Sequence, residues 1–414
     1  MIAIIGGGIS GLALAHRLAA QGRDFVLLEA SSRVGGVMRS GRVDGHLLEW
    51  GPQRGRLTTD FAALVDDLGL RDRLITSPPD LPLFVYRNGA LRTVPFSPGA
   101  FLRSDILSLR GKLRLLAEPF TGAARDDESV ADYFTRKIGR EAYENLVGPL
   151  YGGLYASDPA DMVLGLSLRH VLREFAIERS MLLPLLKRGG TIAPPDACSF
   201  DDGMETLPRA LYERHRARIR LNSPIVSLAR DGAGYAVRTA AGSFTAEHVV
   251  ISVPAPAASR VLRDVAPEAA RRIGMLHYNP LAVVHLHADT GLRGLGYQVS
   301  FAEPLITRGV TFNDSLFQRQ GVYTVYLGGA KNAWVAQEER DKLSEIAVRE
   351  FRQATGSDAR VLSVEHERMP AWDRSWSAIQ GLELPPGLHI HANWEARPGI
   401  PGRLIMARRL AERL

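Results

Sequence analysis

The first thirty residues alternate between short apolar runs and a helical pattern. An apolar run at 2–5 leads into a glycine-rich stretch at 6–11, after which apolar residues recur at helical spacing over 12–18. A second apolar run at 25–28 ends at Glu29. Strand, glycine turn, helix and strand in this order are typical of a βαβ unit that binds a dinucleotide.

The residues of the glycine turn have separate roles in such a unit. Gly6 permits the tight turn, Gly8 lets the backbone approach a pyrophosphate, and Gly11 lets the helix pack closely on the strand. The N–H groups at the start of the helix, at Ile9 and Ser10, then face the phosphates. The glycine pattern alone is a weak signal, but its position between a strand and a helix makes it specific.

A carboxylate and a second glycine turn extend this site. Glu29 ends the second strand, where it can accept hydrogen bonds from a ribose diol. Arg33, Gly35 and Gly36 follow and bring a guanidinium and further backbone N–H groups to the same pyrophosphate. The alternative is that Arg33 is a solvated surface residue. Its position directly after a dinucleotide-binding pattern favours the binding role.

The chain then forms a short mixed segment. A helical pattern over 61–68 precedes two apolar runs, 83–86 and 91–94. Asn88 and Gly89 separate these runs, and Asn-Gly between apolar runs predicts a hairpin.

A helical lobe is predicted next. Residues 97–186 are mostly helical by periodicity, and the glycines and prolines at 189–190 and 194–195 predict a linker. Two roles remain open for the lobe's apolar residues. The pattern favours packing in the lobe's own core over an amphipathic surface for peripheral membrane association, which would collect a poorly soluble substrate from lipid. The residues concerned are Phe101, Leu102, Leu107, Leu109, Leu113, Leu115 and Leu116, with Arg103, Arg110 and Arg114.

The last part of the chain returns to strands. Runs at 219–221, 224–228 and 248–253 are expected to complete the doubly wound sheet of the nucleotide-binding domain. Strands and one helix beyond them predict a second domain with a mixed sheet. These elements are expected at 282–287, 307–312, 323–327 and 337–353.

Composition excludes several classes of protein. The 414 residues carry a formal net charge of +6, with 45% hydrophobic and 23% charged residues, which is typical of a folded chain of two to three domains. No basic block is interleaved with aromatic residues, so no nucleic-acid partner is predicted. The apolar stretches are shorter than the roughly 20 residues that span a bilayer. The single cysteine, Cys198, cannot form an internal disulfide, and we therefore expect a cytoplasmic protein.

Several motifs resemble those of one flavoprotein group. The second glycine turn, followed by 44–52, resembles the two-glycine signature of the group that includes amine oxidases, phytoene desaturases and protoporphyrinogen oxidases. Further segments are similar to the protoporphyrinogen oxidase branch of this flavin amine oxidase group, so the resemblance covers nearly the whole chain. These segments are 144–159, 311–317, 328–332, 387–394 and 399–401.

The resemblance implies a fold and a domain organisation. The expected fold class is α/β, with a doubly wound, Rossmann-like FAD-binding domain, a mixed-sheet substrate-binding domain and an inserted helical lobe. The expected boundaries are 1–57, 197–256 and 383–414 for the FAD-binding domain, 58–96 and 257–382 for the substrate-binding domain, and 97–196 for the lobe.

The resemblance also implies FAD as the cofactor. We expect it to be bound non-covalently, because no cysteine or histidine occupies the closing flavin motif near the ring. This motif usually has glycine where Ala392 stands and an acid where Gly402 stands, so some contacts to the cofactor differ in this chain. The implied cofactor-binding residues are Gly6, Gly8, Ile9, Ser10, Gly11, Glu29, Ala30, Arg33, Gly35, Gly36, Val37, Met38, Gly51, Pro52, Gln53, Val226, Asn393, Trp394, Gly399 and Ile400.

The substrate-binding residues are less well defined. Members of the group often carry a basic residue where Leu83 stands, and there it can meet a substrate propionate. Side chains alternate between the two faces of a strand, so Arg87 shares a face with Leu83. Arg87 could therefore take the role of the missing basic residue. Arg169 and Arg173 of the helical lobe are further candidates. If none of them does so, the substrate is less acidic than a porphyrinogen.

No dedicated catalytic residue is predicted, because the flavin N5 carries the chemistry. Amine oxidases of this group commonly place a lysine on a strand that would match 280–287, and this stretch has none. Lys331, one strand later, is expected to be a surface or loop residue. His285 and His287 alternate on one strand face, but no acid or thiol completes a ligand set, and no metal site is predicted.

The resemblance therefore predicts an FAD-dependent oxidase of porphyrinogens in haem synthesis. It would oxidise protoporphyrinogen IX or coproporphyrinogen III to the porphyrin by hydride transfer to flavin N5, with oxygen as electron acceptor. The alternatives are a related oxidase, desaturase or amine oxidase for a secondary metabolite, and a flavin-bound protein without turnover. The small-molecule substrate, the acceptor and the oligomeric state remain open.

Overall fold

The chain forms two compact units. The computed structural model describes residues 1–174, 177, 179–183, 196–395 and 399–414. The predicted linker at 189–190 and 194–195 lies outside the described residues. Unit 1 comprises Met1–Ser77, Pro195–Leu276 and Ala378–Leu414, and unit 2 comprises Pro78–Pro194 and His277–Ser377.

The strands of the described residues are numbered in chain order. They are β1 (Ile2–Ile5), β2 (Phe25–Leu28), β3 (Ser40–Val43), β4 (His46–Glu49), β5 (Gly55–Arg56), β6 (Leu74–Thr76), β7 (Leu83–Arg87), β8 (Ala90–Thr93), β9 (Ala197–Phe200), β10 (Ile219–Arg220), β11 (Ile225–Asp231), β12 (Gly234–Thr239), β13 (Gly242–Ala246), β14 (His248–Ile251), β15 (Tyr278–Ala288), β16 (Gly296–Val299), β17 (Thr307–Phe312), β18 (Val322–Gly328), β19 (Ala359–Pro370) and β20 (Leu388–Ile390).

The α-helices in the same part of the chain are numbered in the same way. They are α1 (Ile9–Ala20), α2 (Thr59–Asp67), α3 (Pro98–Arg103), α4 (Leu109–Leu116), α5 (Val130–Ile138), α6 (Arg140–Ala142), α7 (Gly148–Tyr155), α8 (Leu164–Ser167), α9 (Arg169–Glu174), α10 (Thr206–His215), α11 (Ala255–Leu262), α12 (Pro267–Ile273), α13 (Asn313–Phe317), α14 (Arg340–Thr355) and α15 (Ile400–Ala411).

Unit 1 is built on a parallel sheet in the order β10-β2-β1-β14-β20. Ile2 of β1 pairs with Phe25 of β2 and with His248 of β14, so the N-terminal strand lies in the middle of the sheet. Every residue of β1 and β2 is buried, as expected for central strands covered on both faces. Helices α1, α10 and α15 pack together against this sheet through one continuous apolar core.

One predicted strand lies elsewhere. Strands β10 and β14 join the parallel sheet as expected, but β11 forms a separate antiparallel sheet with β12 and β13. The expectation that 224–228 completes the doubly wound sheet is therefore wrong. The turns at Gly232-Ala233 and Ala240-Ala241 connect β11, β12 and β13 as consecutive antiparallel neighbours. Antiparallel pairing is the geometry that short turns favour.

Unit 2 contains a mixed sheet in the order β19-β15-β18-β17-β16-β7-β8. Its pairings are antiparallel except for β16 with β7, which is parallel. The predicted hairpin is β7–β8, and Asn88 and Gly89 adopt positive φ angles of 49° and 72° in its turn. The parallel sheet of unit 1 and this mixed sheet confirm the predicted α/β fold class.

The two compact units divide the chain at other residues than the three predicted domains, whose boundaries stay a prediction. Helix α2 lies in unit 1, because Phe61, Leu64 and Val65 pack in the core of that unit. Residues 58–77 and 257–276, expected in the substrate-binding domain, therefore belong to unit 1. The described residues of the helical lobe up to 183 lie in unit 2 together with the mixed sheet. The three-part domain division itself stays a prediction.

The leucines of the helical lobe do not all pack in its core. Leu107 is buried, but Leu102, Leu109, Leu113 and Leu116 are between 57% and 75% exposed. The interpretation that these leucines form the lobe's own core is wrong for those four. None of the helices in the described part of the chain has the length and apolar character that crossing a bilayer requires.

A buried ion pair joins two segments of the lobe. Lys137 Nζ lies 2.6 Å from Glu118 Oε1, and both side chains are 1% exposed. Lys137 also donates to the Arg179 carbonyl, while Glu118 accepts from the Ser180 hydroxyl and the Met181 N–H. The ion pair and these hydrogen bonds together connect residues 179–181 to α5.

Candidate functional site

The first glycine turn leaves the start of α1 accessible. Gly6 has a φ of +114°, and a Cβ on Gly11 would lie 2.1 Å from the Gly6 carbonyl oxygen, so the helix packs as closely as the sequence predicts. A Cβ on Gly8 would meet nothing within 4 Å. No side chain caps α1, so its first N–H groups are available to an anion.

Glu29 lies beside this turn at the end of β2. Its Oε2 accepts a hydrogen bond from the Gly7 N–H at 2.7 Å. Its Oε1 accepts from the N–H and the hydroxyl of Ser31, both at 2.8 Å. The carboxylate is thus fixed at the carboxyl end of the strand, which is the position of a ribose-binding acid in this architecture.

The second glycine turn contacts the first. The Gly35 N–H donates to the Gly7 carbonyl at 2.8 Å, and a Cβ on Gly36 would lie 3.4 Å from Gly8 Cα. The Arg33 guanidinium donates to the carbonyls of Gly36 and Val34, at 2.7 and 3.2 Å. Arg33 therefore stabilises the second glycine turn through these hydrogen bonds. Its positive charge lies beside that turn.

The Gly51-Pro52 turn packs on the residues that follow the second glycine turn. A Cβ on Gly51 would lie 1.8 Å from the Val37 carbonyl oxygen, so only glycine fits there. The Gln53 amide donates to the carbonyls of Glu49 and Gly51, at 2.8 and 3.1 Å. This turn and the second glycine turn thus form one surface.

A buried network supports that surface. The Ser40 hydroxyl donates to Glu49, and the Ser40 N–H donates to Glu205 at 2.9 Å. Glu49 also accepts from the Met204 N–H at 2.8 Å, and Glu205 lies 4.0 Å from Arg33. Sequence reasoning missed Ser40 and Glu205. The sequence signal that could have identified Glu205 is its position as an acid directly after the Gly203-Met204 turn.

The closing motif follows β20. Trp394 is buried, and its indole N–H donates to the Val253 carbonyl at 2.9 Å. Ala392, at the position where the related motif has glycine, is also buried. Gly399, with a φ of +90°, immediately precedes Ile400, where α15 begins.

Four further predicted cofactor residues, Ala30, Val37, Met38 and Val226, lie in unit 1. Val37 and Val226 are both 59% exposed, which is unusual for valines and fits apolar surface that a bound cofactor would cover. Ala30 is exposed and Met38 is buried. All predicted cofactor-binding residues therefore lie in unit 1, and the open Gly8, the uncapped helix and the exposed valines fit an FAD molecule.

The predicted substrate-binding residues lie in unit 2. Leu83 is half-buried in β7. Arg87 donates to the Ile106 carbonyl at 2.8 Å and lies 3.8 Å from Glu141. Arg169 lies 2.5 Å from Asp126, while Arg173 is exposed. Arg87 and Arg169 therefore have partners within the protein, and the substrate contacts of all four residues stay predictions.

Two of the segments that carried the resemblance meet in unit 2. The Ala330 N–H donates to the Ala156 carbonyl at 2.8 Å, and a Cβ on Gly329 would lie 2.6 Å from the same oxygen. Lys331 follows, 3.5 Å from Asp158 and 4.2 Å from the Phe301 ring centroid. It is a surface lysine in a short 3₁₀ helix, 40% exposed and in an ion pair, so the expected surface position is the one observed.

Comparison with known proteins identifies the family. Residues 9–398 match the family of flavin containing amine oxidoreductases. The chain belongs to this family. It is 30% identical over 397 residues to a chloroplastic protoporphyrinogen oxidase from Oryza sativa subsp. japonica, in a match that covers 84% of this chain and 73% of the rice protein.

Two solved structures share the fold of this oxidoreductase. One is assigned as a protoporphyrinogen oxidase from Exiguobacterium sp. 255-15, with a TM-score of 0.80 and 21% identity, and the match covers 100% of this chain and 98% of that one. The other is a variant of putrescine oxidase, with a TM-score of 0.74, 16% identity and the same coverage. The oxidoreductase is therefore a protoporphyrinogen oxidase-like enzyme that depends on FAD.

The single cysteine of the oxidoreductase is buried. Cys198 is buried in β9, and burial raises the pKa of its thiol to about 12, although Arg56 acts in the opposite direction. A protonated, buried thiol does not attack a flavin. Among the described residues, no cluster of histidine, cysteine, aspartate and glutamate side chains could hold a metal ion.

Proposed function

We propose that this oxidoreductase oxidises a porphyrinogen, either protoporphyrinogen IX or coproporphyrinogen III, to the corresponding porphyrin in haem synthesis. Six electrons leave the substrate in three two-electron steps, and dioxygen is the electron acceptor. The observation that supports this substrate class most strongly is the 30% identity to the rice protoporphyrinogen oxidase over most of the chain. A cytoplasmic location is part of the same proposal.

The residues of unit 1 would hold the cofactor. The uncapped N–H groups of α1 would bind the diphosphate, and the fixed Glu29 carboxylate would accept hydrogen bonds from the ribose. The Gly51-Pro52 turn and the closing motif would enclose the remaining part of the cofactor. When bound, FAD supplies a hydride acceptor for a substrate carbon.

The residues of β15 support a porphyrinogen over an amine. In a porphyrinogen, loss of a hydride from a meso carbon is compensated by loss of a proton from a pyrrole N–H, so the reaction needs little help from a side chain. Strand β15, which contains the stretch matched to the lysine strand of amine oxidases, has no lysine. Lys331, the next one along the chain, is paired with Asp158.

One observation favours a second candidate. Leu83 is apolar, and Arg87 is bound by Ile106 and Glu141, so neither is an evident partner for a propionate. A related oxidase, desaturase or amine oxidase acting on a less acidic secondary metabolite would need no such partner. A flavin-bound protein without turnover is the third alternative.

Anaerobic mixing of the holoenzyme with each porphyrinogen tests the proposal. We expect the flavin absorbance to bleach at a rate at least equal to turnover, and porphyrin fluorescence to appear after oxygen is admitted. Putrescine is the matched comparison substrate and should leave the flavin oxidised. Bleaching by an amine but not by porphyrinogens would support the second candidate, and full FAD occupancy without any bleaching would support the third.

We also propose that the lobe docks on an anionic lipid surface. Leu109, Leu113 and Leu116 lie at helical spacing on one face of α4, and all three are exposed. Phe120, just beyond the helix, is 89% exposed. Exposed Arg110 on the same helix adds the positive charge that such a surface attracts.

A further inference from the structure

Three ionisable side chains lie beneath the closing motif. His391 follows β20 and is 1% exposed, and Arg403 of α15 is 2% exposed. Glu395 is half-buried as a residue, but its Oε2 is shielded from solvent. The structure thus places a buried cation, Arg403, and a half-buried acid, Glu395, at the closing motif, which contains the predicted cofactor contact Trp394.

This cluster is connected to the start of α1. Arg403 donates a hydrogen bond to the Ala392 carbonyl, which fixes the closing turn on α15. The Ser252 hydroxyl donates to the His391 carbonyl at 2.9 Å, and a Cβ on Gly6, in the turn that leads into α1, would lie 2.6 Å from the Ser252 carbonyl oxygen. Helices α15 and α1 also pack directly against each other. The cluster therefore lies behind the helix start that would bind the diphosphate.

Two polar atoms of the cluster are unmatched. Within the described ranges, which omit 396–398, His391 Nε2 and Glu395 Oε2 have no hydrogen-bond partner. A buried polar atom without a partner is unfavourable, and a buried carboxylate avoids the penalty by binding a proton. Glutamine in place of Glu395 would have the same shape without a charge, so the Glu395→Gln variant isolates the role of ionisation.

The charges of the cluster support that role. Burial raises the pKa of Glu395 to about 7, although Arg403 lowers it. Burial also lowers the pKa of Arg403 to about 10 and that of His391 to about 3. Near neutral pH, His391 is therefore neutral, Arg403 is charged, and Glu395 is poised between its two forms.

The other charged groups nearby are few. Arg413, near the C-terminus, also faces Glu395 and favours its ionised form. On α1, His16 contacts Asp67 at 2.7 Å and His215 at 3.0 Å, so it belongs to a different cluster. Among the described groups, Arg403 and Arg413 are thus the charges that face Glu395.

We propose that Glu395 takes up a proton when the FAD diphosphate binds, so that the positive charge of Arg403 acts on the cofactor. Without the cofactor, ionised Glu395 balances Arg403. A dianion at the start of α1 disfavours a second negative charge behind it, and the proton that neutralises Glu395 comes from solvent. By reciprocity, a change of pH that ionises Glu395 weakens the binding of FAD. The proposal rests on the FAD cofactor and not on the substrate.

The pH dependence of FAD release from the holoenzyme tests this coupling. Diluted holoenzyme is equilibrated between about pH 6 and about pH 9, and the fluorescence of released flavin gives the dissociation constant. We expect the constant of the parent protein to rise with pH, with a steepest slope of at most about tenfold per pH unit for one coupled proton. Glu395→Gln should give a flat profile. Glu412 is an exposed acid at the end of α15. Glu412→Gln is therefore the matched control and should behave like the parent protein.

A spectroscopic measurement gives an independent readout. The infrared carbonyl band of a protonated carboxyl group should be present in the holoenzyme at neutral pH, remain in Glu412→Gln and be absent from Glu395→Gln. A flat profile in the parent protein, or a parent-like profile in Glu395→Gln, would overturn the proposal. If Glu395→Gln does not retain FAD, Arg403→Gln decides the question. Removing this cation should move the rise in the FAD dissociation constant to higher pH. A rise at the same pH as in the parent protein would refute the coupling.

Discussion

Two glutamates of unit 1, Glu29 and Glu49, have different environments. Glu29 lies at the end of β2 and binds backbone and hydroxyl groups of its own loops. Glu49 is 1% exposed and binds Ser40 and Met204 in the interior. The first is placed to bind a ligand, and the second is placed to order the protein.

Replacing each glutamate by alanine should separate these roles. Glu29→Ala removes a charge-assisted hydrogen-bond acceptor worth about 1.5–3 kcal/mol, so FAD binding should weaken roughly ten- to hundredfold. Glu49→Ala leaves the buried Ser40 and Met204 donors unmatched and should lower the melting temperature more than the affinity for FAD. Flavin occupancy after gel filtration and thermal unfolding of the two variants measure both effects. Equal flavin occupancy in Glu29→Ala and the parent protein would contradict the assignment of Glu29 to the ribose of FAD.

Among the secondary-structure elements, α4 departs from the packing that its sequence pattern predicted. An amphipathic pattern predicts an apolar face but does not say what covers it. In the described structure this face is open to solvent, while Arg114 and Lys112 of the same helix donate to backbone carbonyls of the lobe. The helix is therefore attached to the lobe through its polar groups.

Vesicle binding tests the proposed role of this face. The parent protein should co-sediment with anionic vesicles at low salt, and Leu109→Gln with Leu113→Gln should bind roughly a hundredfold more weakly, at about tenfold per leucine. Met275→Gln replaces a similarly exposed apolar residue in unit 1 and serves as the control. If the double variant binds vesicles as strongly as Met275→Gln, α4 does not dock on lipid.

The stability of the whole molecule should depend on its buried histidines. His215 contacts His16 at 3.0 Å, and His16 contacts Asp67 at 2.7 Å. Burial lowers the pKa of His215 to about 4, with a further contribution from His16. Burial likewise lowers the pKa of His389 to about 4.

These lowered pKa values set the direction of the pH effect. Below the unfolded value of about 6.5 the unfolded chain binds more protons than the folded one, so the free energy of unfolding should fall as the pH drops from about 6.5 to about 4. Solvent screens the half-exposed His215, which reduces its contribution to about 1–2 kcal/mol. Denaturant titrations of His215→Gln should show a shallower fall than the parent, whereas the exposed His366→Gln should match the parent. Identical curves for all three proteins would contradict this assignment.

The sequence by itself determined the features that depend on local backbone conformation. Gly6, Gly11 and the Asn88-Gly89 turn lie in the predicted conformations, because few other residues tolerate a positive φ or such close backbone contacts. The apolar runs of β1 and β2 likewise identify buried parallel strands, since both faces must be covered. The flavin family followed from the order of these motifs along the chain.

Only the tertiary structure decided which side chains meet across long sequence separations. It joined Ser40 to Glu205, gave Arg87 and Arg169 partners in the protein, and left the leucines of α4 exposed. It also buried His391 and Arg403 at the closing motif, where Arg403 donates to the Ala392 carbonyl. The physical reason is that burial and pairing depend on neighbours brought together by folding, and periodicity within one element carries no information about them.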